Sequence, residues 1–297
     1  MHTWHWHTWQ GLPYLTCSLL QDWQHGFFTQ QFWTRSPADL VEVLHPTAEV
    51  YRVKQVHGNT VLSASEAEPT PQENESGFDR GSEPAANPSE SDHPMFRDAD
   101  GLLTEQSDQA VWVCTADCTP VLIADEATGQ VAAIHAGWRG TALKIVPQAI
   151  RRMQAQGSQI KNLRVAMGPA ITGEVYQVST EVAAQVGATV VPHGIVPGDF
   201  SHPSHLESAN TDAIDSTAIL DVLQQLPQSP IRPDPEPGRA RLDVRRVNAL
   251  QLEQLGLAEE QVSIAPYCTY QTPDLFFSYR RSSQKRVQWS GIVSRNE

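Results

Sequence analysis

The stretch "VAAIHAGWRG" (Val131–Gly140) opens on apolar residues, ends that run at His135, and passes through Gly137-Trp138-Arg139-Gly140 into a helical pattern. A short apolar run bounded by glycine reads as a strand covered on both faces. The same signature recurs at 110–114 ("AVWVC"), 120–125 ("PVLIAD"), 163–167 ("LRVAM") and 262–266 ("VSIAP"), with further strands expected over 49–56 and 274–280. Helical periodicity follows over 140–156, where Leu143, Val146, Ile150 and Met153 share a face and Pro147 is expected to kink the helix or limit its first turn. Other helices are expected over 179–187, 211–225 and 242–255. Strands and helices do not alternate regularly. The sequence therefore predicts a single α/β domain over residues 1–297, mixed-sheet and sandwich-like, instead of a doubly wound sheet.

Composition narrows the function. The 297 residues carry 21 basic and 34 acidic side chains, a net charge of −13, which argues against nucleic acid or an anionic membrane as partner. Part of this charge is local: residues 66–97 hold eight acidic residues against Arg80 and Arg97, together with five prolines, and are expected to form a disordered insertion. Residues 192–210 and 226–240 read as long surface loops, the latter disordered. No apolar run approaches membrane-spanning length, and no signal peptide is recognisable at the start. Four cysteines without a secretion signal point to a reducing compartment, and the expected location is the cytoplasm.

Three polar residues interrupt or end apolar strands: His57 in "VKQVHGN", Cys118 in "TADCTP" and His135. Strand ends are where α/β proteins present reactive groups on a rigid support. Two imidazoles and a thiolate make a three-ligand set for zinc with a fourth position left over. By residue type alone a second reading stays open, in which both histidines are buried and satisfied and the cysteine is inert.

The segments "KQVHGNTV", "DADGLLTE…CTADCTPVLIAD", "AAIHAGWRGT", "MGPAITGEVYQV" and "SIAPYCTY…DLFFSYRR" resemble, in order, the signature segments of the YfiH-type laccase-domain family, from about residue 25 to 293. Its members are variously named polyphenol oxidase, peptidoglycan editing factor and purine nucleoside phosphorylase. The resemblance implies an α/β fold with zinc (copper is the alternative metal) held by His57, Cys118 and His135. It implies phosphorolysis of adenosine, inosine and methylthioadenosine, with adenosine deamination as a side activity; the partners are then a purine nucleoside and phosphate. Two positions depart from the pattern, Ala170 and Gln271, where members often carry cysteine. Neither belongs to the ligand set.

Phosphorolysis requires a held phosphate, and a guanidinium meets phosphate oxygens bidentately. Arg139 is the first candidate, followed by Arg280 and Arg281; a solvated face is the alternative for Arg281. Asp117 is expected to orient a ligand or to cap a turn, and Phe276, Phe277 and Tyr279 could stack a base. Two other functions compete. In one, Cys118 is the nucleophile of an amide hydrolase acting on peptidoglycan precursors, with His135 or His57 as base. In the other, the chain is a non-catalytic partner-binding module. A polyphenol oxidase would need more ligand pairs than the His5-Trp6-His7 of the N-terminal "MHTWHWHTW", which reads as a frayed, exposed segment.

Overall fold

A computed structural model describes residues 2–67, 96–191 and 216–296. Two six-stranded mixed sheets and one three-stranded sheet carry the fold. The first sheet runs β1 (Trp4–Trp9), β2 (Leu12–Cys17), β3 (His25–Phe28), β15 (Gln288–Val293), β7 (Gln109–Thr115) and β4 (Glu49–Tyr51). The second runs β14 (Val262–Ile264), β10 (Leu163–Met167), β8 (Thr119–Asp125), β9 (Val131–Ala136), β6 (Gly101–Leu103) and β5 (Val61–Ser63). The small sheet orders β11 (Gln177–Ser179), β13 (Arg239–Leu242) and β12 (Ile231–Pro233).

The all-apolar strands are explained by what lies on each face. In β8, Leu122 and Ala124 pack into the core shared by the two large sheets, while Val121 and Ile123 face the opposite layer. That layer contains α3 (Ile145–Ala155) and α6 (Val244–Gln254). In β7, Val111 and Val113 enter the shared core, and Ala110 and Trp112 pack beneath α1 (Pro37–Leu44). The small sheet buries its own cluster against α4 (Thr180–Gly187), α5 (Ser216–Gln225) and α6. The architecture is a mixed α/β sandwich, as the pattern predicts.

Several expectations are corrected. The N-terminal segment is not frayed: β1 and β2 form a hairpin turning at Gln10 and Gly11, both at positive φ as a tight hairpin turn demands. Trp4 Nε1 donates to Ser263 Oγ at 3.1 Å and Trp6 Nε1 to the Tyr267 hydroxyl at 2.8 Å, so the tryptophans tie the hairpin down. Residues 226–240 are a structured connection containing β12, because Asp234 accepts from Gln177 Nε2 at 3.0 Å and Arg241 Nε at 2.9 Å. The helix over 140–156 is two, α2 (Trp138–Ala142) and α3, separated by Lys144 in the left-handed region. Pro147 sits in the first turn of α3, where no kink is needed. Residues 274–280 form no strand. The Phe277 N–H goes to the Gln288 side chain, and the chain turns at Ser278 into the short α7 (Tyr279–Ser282). The strand over 49–56 stops at Tyr51, and Gln55 takes over by bonding both the N–H and the carbonyl of Cys114 through its amide. Cys114 is accordingly half-buried and not a full core residue. Residues 68–95 of the acidic stretch and the loop at 192–210 lie outside the described residues.

His25 holds the first sheet to the turn before it. Its buried ring donates from Nδ1 to the Trp23 carbonyl and accepts at Nε2 from the Cys17 N–H, both at 2.9 Å, which requires the neutral ring. Burial pulls its pKa down to about 4 from 6.5. The unfolded chain therefore takes up this proton first, and the stabilisation is present above about pH 6.5 and lost as pH falls toward 4. The unfolding free energy read from denaturant titrations should drop across this window, by up to about 1.4 kcal/mol per pH unit from this group alone. His25→Gln should flatten the slope; an unchanged slope would count against the assignment.

Candidate metal centre

Strand pairing alone gathers the three residues. β8 and β9 are antiparallel with Pro120 opposite His135, so the start of β8, just after Cys118, lies beside the end of β9. β6 pairs antiparallel with β9, Gly101 opposite Ile134, which brings Asp100 to the same end. β5 runs parallel to β6 with Val61 opposite Gly101, and so delivers the preceding loop, with His57, to that end too. The ligand atoms of His57, Cys118 and His135 all lie within 4.8 Å of one another, the one such group of three among the described residues. The two rings stand edge to face at 4.8 Å. His135 is buried, Cys118 half-buried and His57 exposed, so the cluster opens to solvent on one side.

Asp100, fully buried, organises this cluster, and sequence reasoning passed over it. Its carboxylate accepts from the backbone N–H of Val56, His57 and Gly58 at 3.2, 2.9 and 2.6 Å, and from His135 Nδ1 at 2.8 Å. These bonds fix His57 in its left-handed conformation (φ 62°) and place the proton of His135 on Nδ1, leaving Nε2 for a metal. Burial alone would raise the Asp100 pKa; His135 and the N–H groups outweigh it and hold it below the usual carboxylate range. The sequence signal was an acid directly before the buried strand "GLL".

The donor set fits a metal. Burial pushes the Cys118 thiol up, but the charge and hydrogen bonds of His135 and His57 overcome it and favour thiolate. Burial likewise lowers His135, and the Cys118 charge and Asp100 more than compensate. Without metal His135 is thus held as imidazolium beside the thiolate, and zinc, which requires neutral imidazole, would bind with loss of its Nε2 proton. The chain also leaves room: a Cβ at Gly137 would sit 2.8 Å from Cys118 Sγ, and one at Gly140 2.9 Å from the Gly58 carbonyl.

The other predicted residues divide. Asp117 (φ 93°) is an anchor: its carboxylate accepts from Thr269 Oγ1 and the Arg280 N–H, both at 2.7 Å, and its carbonyl accepts from the Ile171 N–H at 3.0 Å. Arg139 is exposed on α2 and stacks on Trp138 at 4.4 Å. Arg280 lies over Tyr176 at 4.8 Å and donates to the Gln177 carbonyl. Burial first, then the charge of Cys118, pushes the Tyr176 pKa up to about 12. Arg281 spends its guanidinium on the carbonyls of Thr269, Tyr270 and Phe276. Phe276 is buried against Tyr267, Phe277 meets Trp33, and Tyr279 is exposed.

Residues 35–207 and 208–294 match the family model described as multi-copper polyphenol oxidoreductase laccase. The chain belongs to this laccase-domain family. It is 46% identical over 291 residues (98% of this chain, 97% of the relative) to a protein named purine nucleoside phosphorylase from Synechocystis sp.. It is 26% identical to the purine nucleoside phosphorylase YlmD of Bacillus subtilis, over 69% of this chain and 62% of the relative. The crystal structure of YlmD from Geobacillus stearothermophilus shares the fold at TM-score 0.70 and 21% identity, covering 98% of this chain and 99% of that one. That of Bacillus licheniformis hypothetical protein YfiH does so at TM-score 0.65 and 19% identity, covering 95% and 96%.

Asp100→Asn removes the charge that orients His135 while keeping the shape. Zinc affinity, read by competition with a chromophoric chelator, should fall by about 10–100-fold. Wild-type affinity in this variant would show that Asp100 serves folding alone.

Proposed function

We propose that the chain is a zinc-dependent purine nucleoside phosphorylase of the cytoplasm, acting on adenosine, inosine and methylthioadenosine, with adenosine deamination as a side activity. What supports this reading is the full-length likeness to a protein named purine nucleoside phosphorylase, together with the His57–Cys118–His135 group whose ligand atoms lie within 4.8 Å of one another. His57, Cys118 and His135 would hold the zinc. Bound there, it would supply Lewis acidity at its remaining coordination position.

The chain's own residues carry the rest. Phosphate attacks C1′ of the ribose, the glycosidic bond breaks, and the purine leaves as the free base with ribose 1-phosphate as the other product. Arg139 and Arg280 bind the phosphate oxygens and offset its charge. Tyr176, with its pKa at about 12, stays protonated at neutral pH and donates a hydrogen bond to the nucleoside. Asp117 holds the Cys118 turn against the Arg280 backbone, keeping the anion site in register with the cluster. Arg281, its N–H groups committed to carbonyls, supports the loop and not the substrate.

Purified protein should carry about one zinc per chain and release hypoxanthine from inosine only when phosphate is present. Arg139→Ala should weaken phosphorolysis by about 1.5–3 kcal/mol, one lost charged hydrogen-bonding group, chiefly as a higher phosphate requirement. Adenosine deamination, which uses water, should suffer far less. Equal losses in both activities would reduce Arg139 to a packing residue.

One observation favours the amide hydrolase instead: Cys118, His135 and Asp100 form a nucleophile–base–carboxylate line. Iodoacetamide separates the two. On the phosphorylase reading Cys118 resists alkylation until zinc is chelated; ready alkylation of the protein as purified, with full metal content, would favour the hydrolase.

A further inference from the structure

A pocket of about 260 Å³ lies on the first sheet, sharing no residue with the metal centre. Trp33, Thr34, Arg35, Arg52, Gln288 and Trp289 are among its walls, and none of its lining residues is acidic. Guanidinium and indole alternate here: Arg35 lies over Trp9 and Phe32 at 5.7 and 5.8 Å, and Arg52 over Phe96 and Trp289 at 4.0 and 5.7 Å. At the rim Arg286 caps Trp33 at 5.9 Å. Stacking holds the Arg35 guanidinium plane in place and leaves its edge for an oxyanion. Among the described residues no carboxylate pairs with Arg35. The neighbouring Asp39 is committed to the N–H and hydroxyl of Ser36 at 2.7 and 2.9 Å, capping α1.

Two further features mark the pocket as more than a surface dent. Trp33 is 42% exposed, an indole left in water with Phe277 against it at 5.2 Å. Thr34 beside it has φ 80°, a conformation that a β-branched residue adopts only when its surroundings impose it. The volume lies below the roughly 300–1,000 Å³ of drug-sized sites, too small for a nucleoside with its phosphate. We infer that this pocket binds a single-ring aromatic carboxylate, its ring on Trp33 and its carboxylate on Arg35. The inference does not rest on the phosphorylase reading.

Calorimetric titration of the full chain with 4-hydroxybenzoate tests it, with phenol, cyclohexanecarboxylate and inorganic phosphate as comparisons. Saturable single-site binding is expected for 4-hydroxybenzoate, about tenfold or more tighter than for each comparison compound. Arg35→Met should weaken it about tenfold with unchanged zinc content and thermal midpoint. Trp33→Leu, at an exposed position, should do the same and serves if Arg35→Met fails to fold. Absence of saturable heat, phosphate binding as tightly as the aromatic acid, or wild-type affinity in Trp33→Leu would overturn the proposal.

Discussion

A single buried carboxylate ties the site to the fold. Asp100 stands where β6 begins, and it satisfies three consecutive backbone N–H groups of the His57 loop and the ring of His135. Removing one partner of a buried charged group leaves the others under-satisfied, at a cost of several kcal/mol. The loop, the strand end and the imidazole therefore stand or fall together. The backbone repeats the lesson: the His135 N–H donates to the Asp100 carbonyl and the Asp100 N–H to that of Thr60. The metal cluster is thus an extension of the β5–β6–β9 pairing, not an addition to it.

The glycines of the opening stretch acquire their reason from the same geometry. Gly137 lies against the Cys118 sulfur and Gly140 against the Gly58 carbonyl. Any side chain at the first would press on a ligand, and at the second would lift the His57 loop from α2. Trp138 and Arg139, placed between them, are free of that constraint. Trp138 joins the cluster under the small sheet while Arg139 stacks on it and faces solvent. One tetrapeptide thus alternates close approach with presentation.

What was legible in the sequence was set by local pattern. Strands covered on both faces announced themselves because their two sides meet two apolar layers, as Leu122 and Ile123 do. The three candidate ligands were legible from residue type at strand ends and from family resemblance. Asp100 was not, since an acid before a strand looks like a turn residue until the topology brings His57 and His135 to it. Hairpins dense in tryptophan, histidine or proline also misled. β1 is held by side-chain bonds to Ser263 and Tyr267, hundreds of residues away in the chain, and β12 by Asp234 acting across the small sheet. The apparent strand at 274–280 failed for the converse reason: the N–H groups of Phe277 and Arg280 go to the side chains of Gln288 and Asp117, and those of Leu275 and Phe276 to the Thr272 carbonyl.

The cluster's charge state links the two enzymatic readings. Held by Asp100, His135 stabilises a Cys118 thiolate beside it, so the sulfur is a nucleophile in waiting and a metal ligand in waiting at once. The fold supplies this pair without help from a metal, because the core between the sheets and the layers outside them is complete. If His57, Cys118 and His135 hold zinc, the Nε2 proton of His135 must leave, and the coordinated thiolate would be a blunted nucleophile. Amide cleavage by sulfur and metal-assisted nucleoside chemistry are on this account mutually exclusive uses of the same three side chains. On the phosphorylase proposal Arg139 and Arg280 bind phosphate, a role that amide cleavage would not need. The balance toward phosphorolysis comes from the full-length likeness to a protein named purine nucleoside phosphorylase.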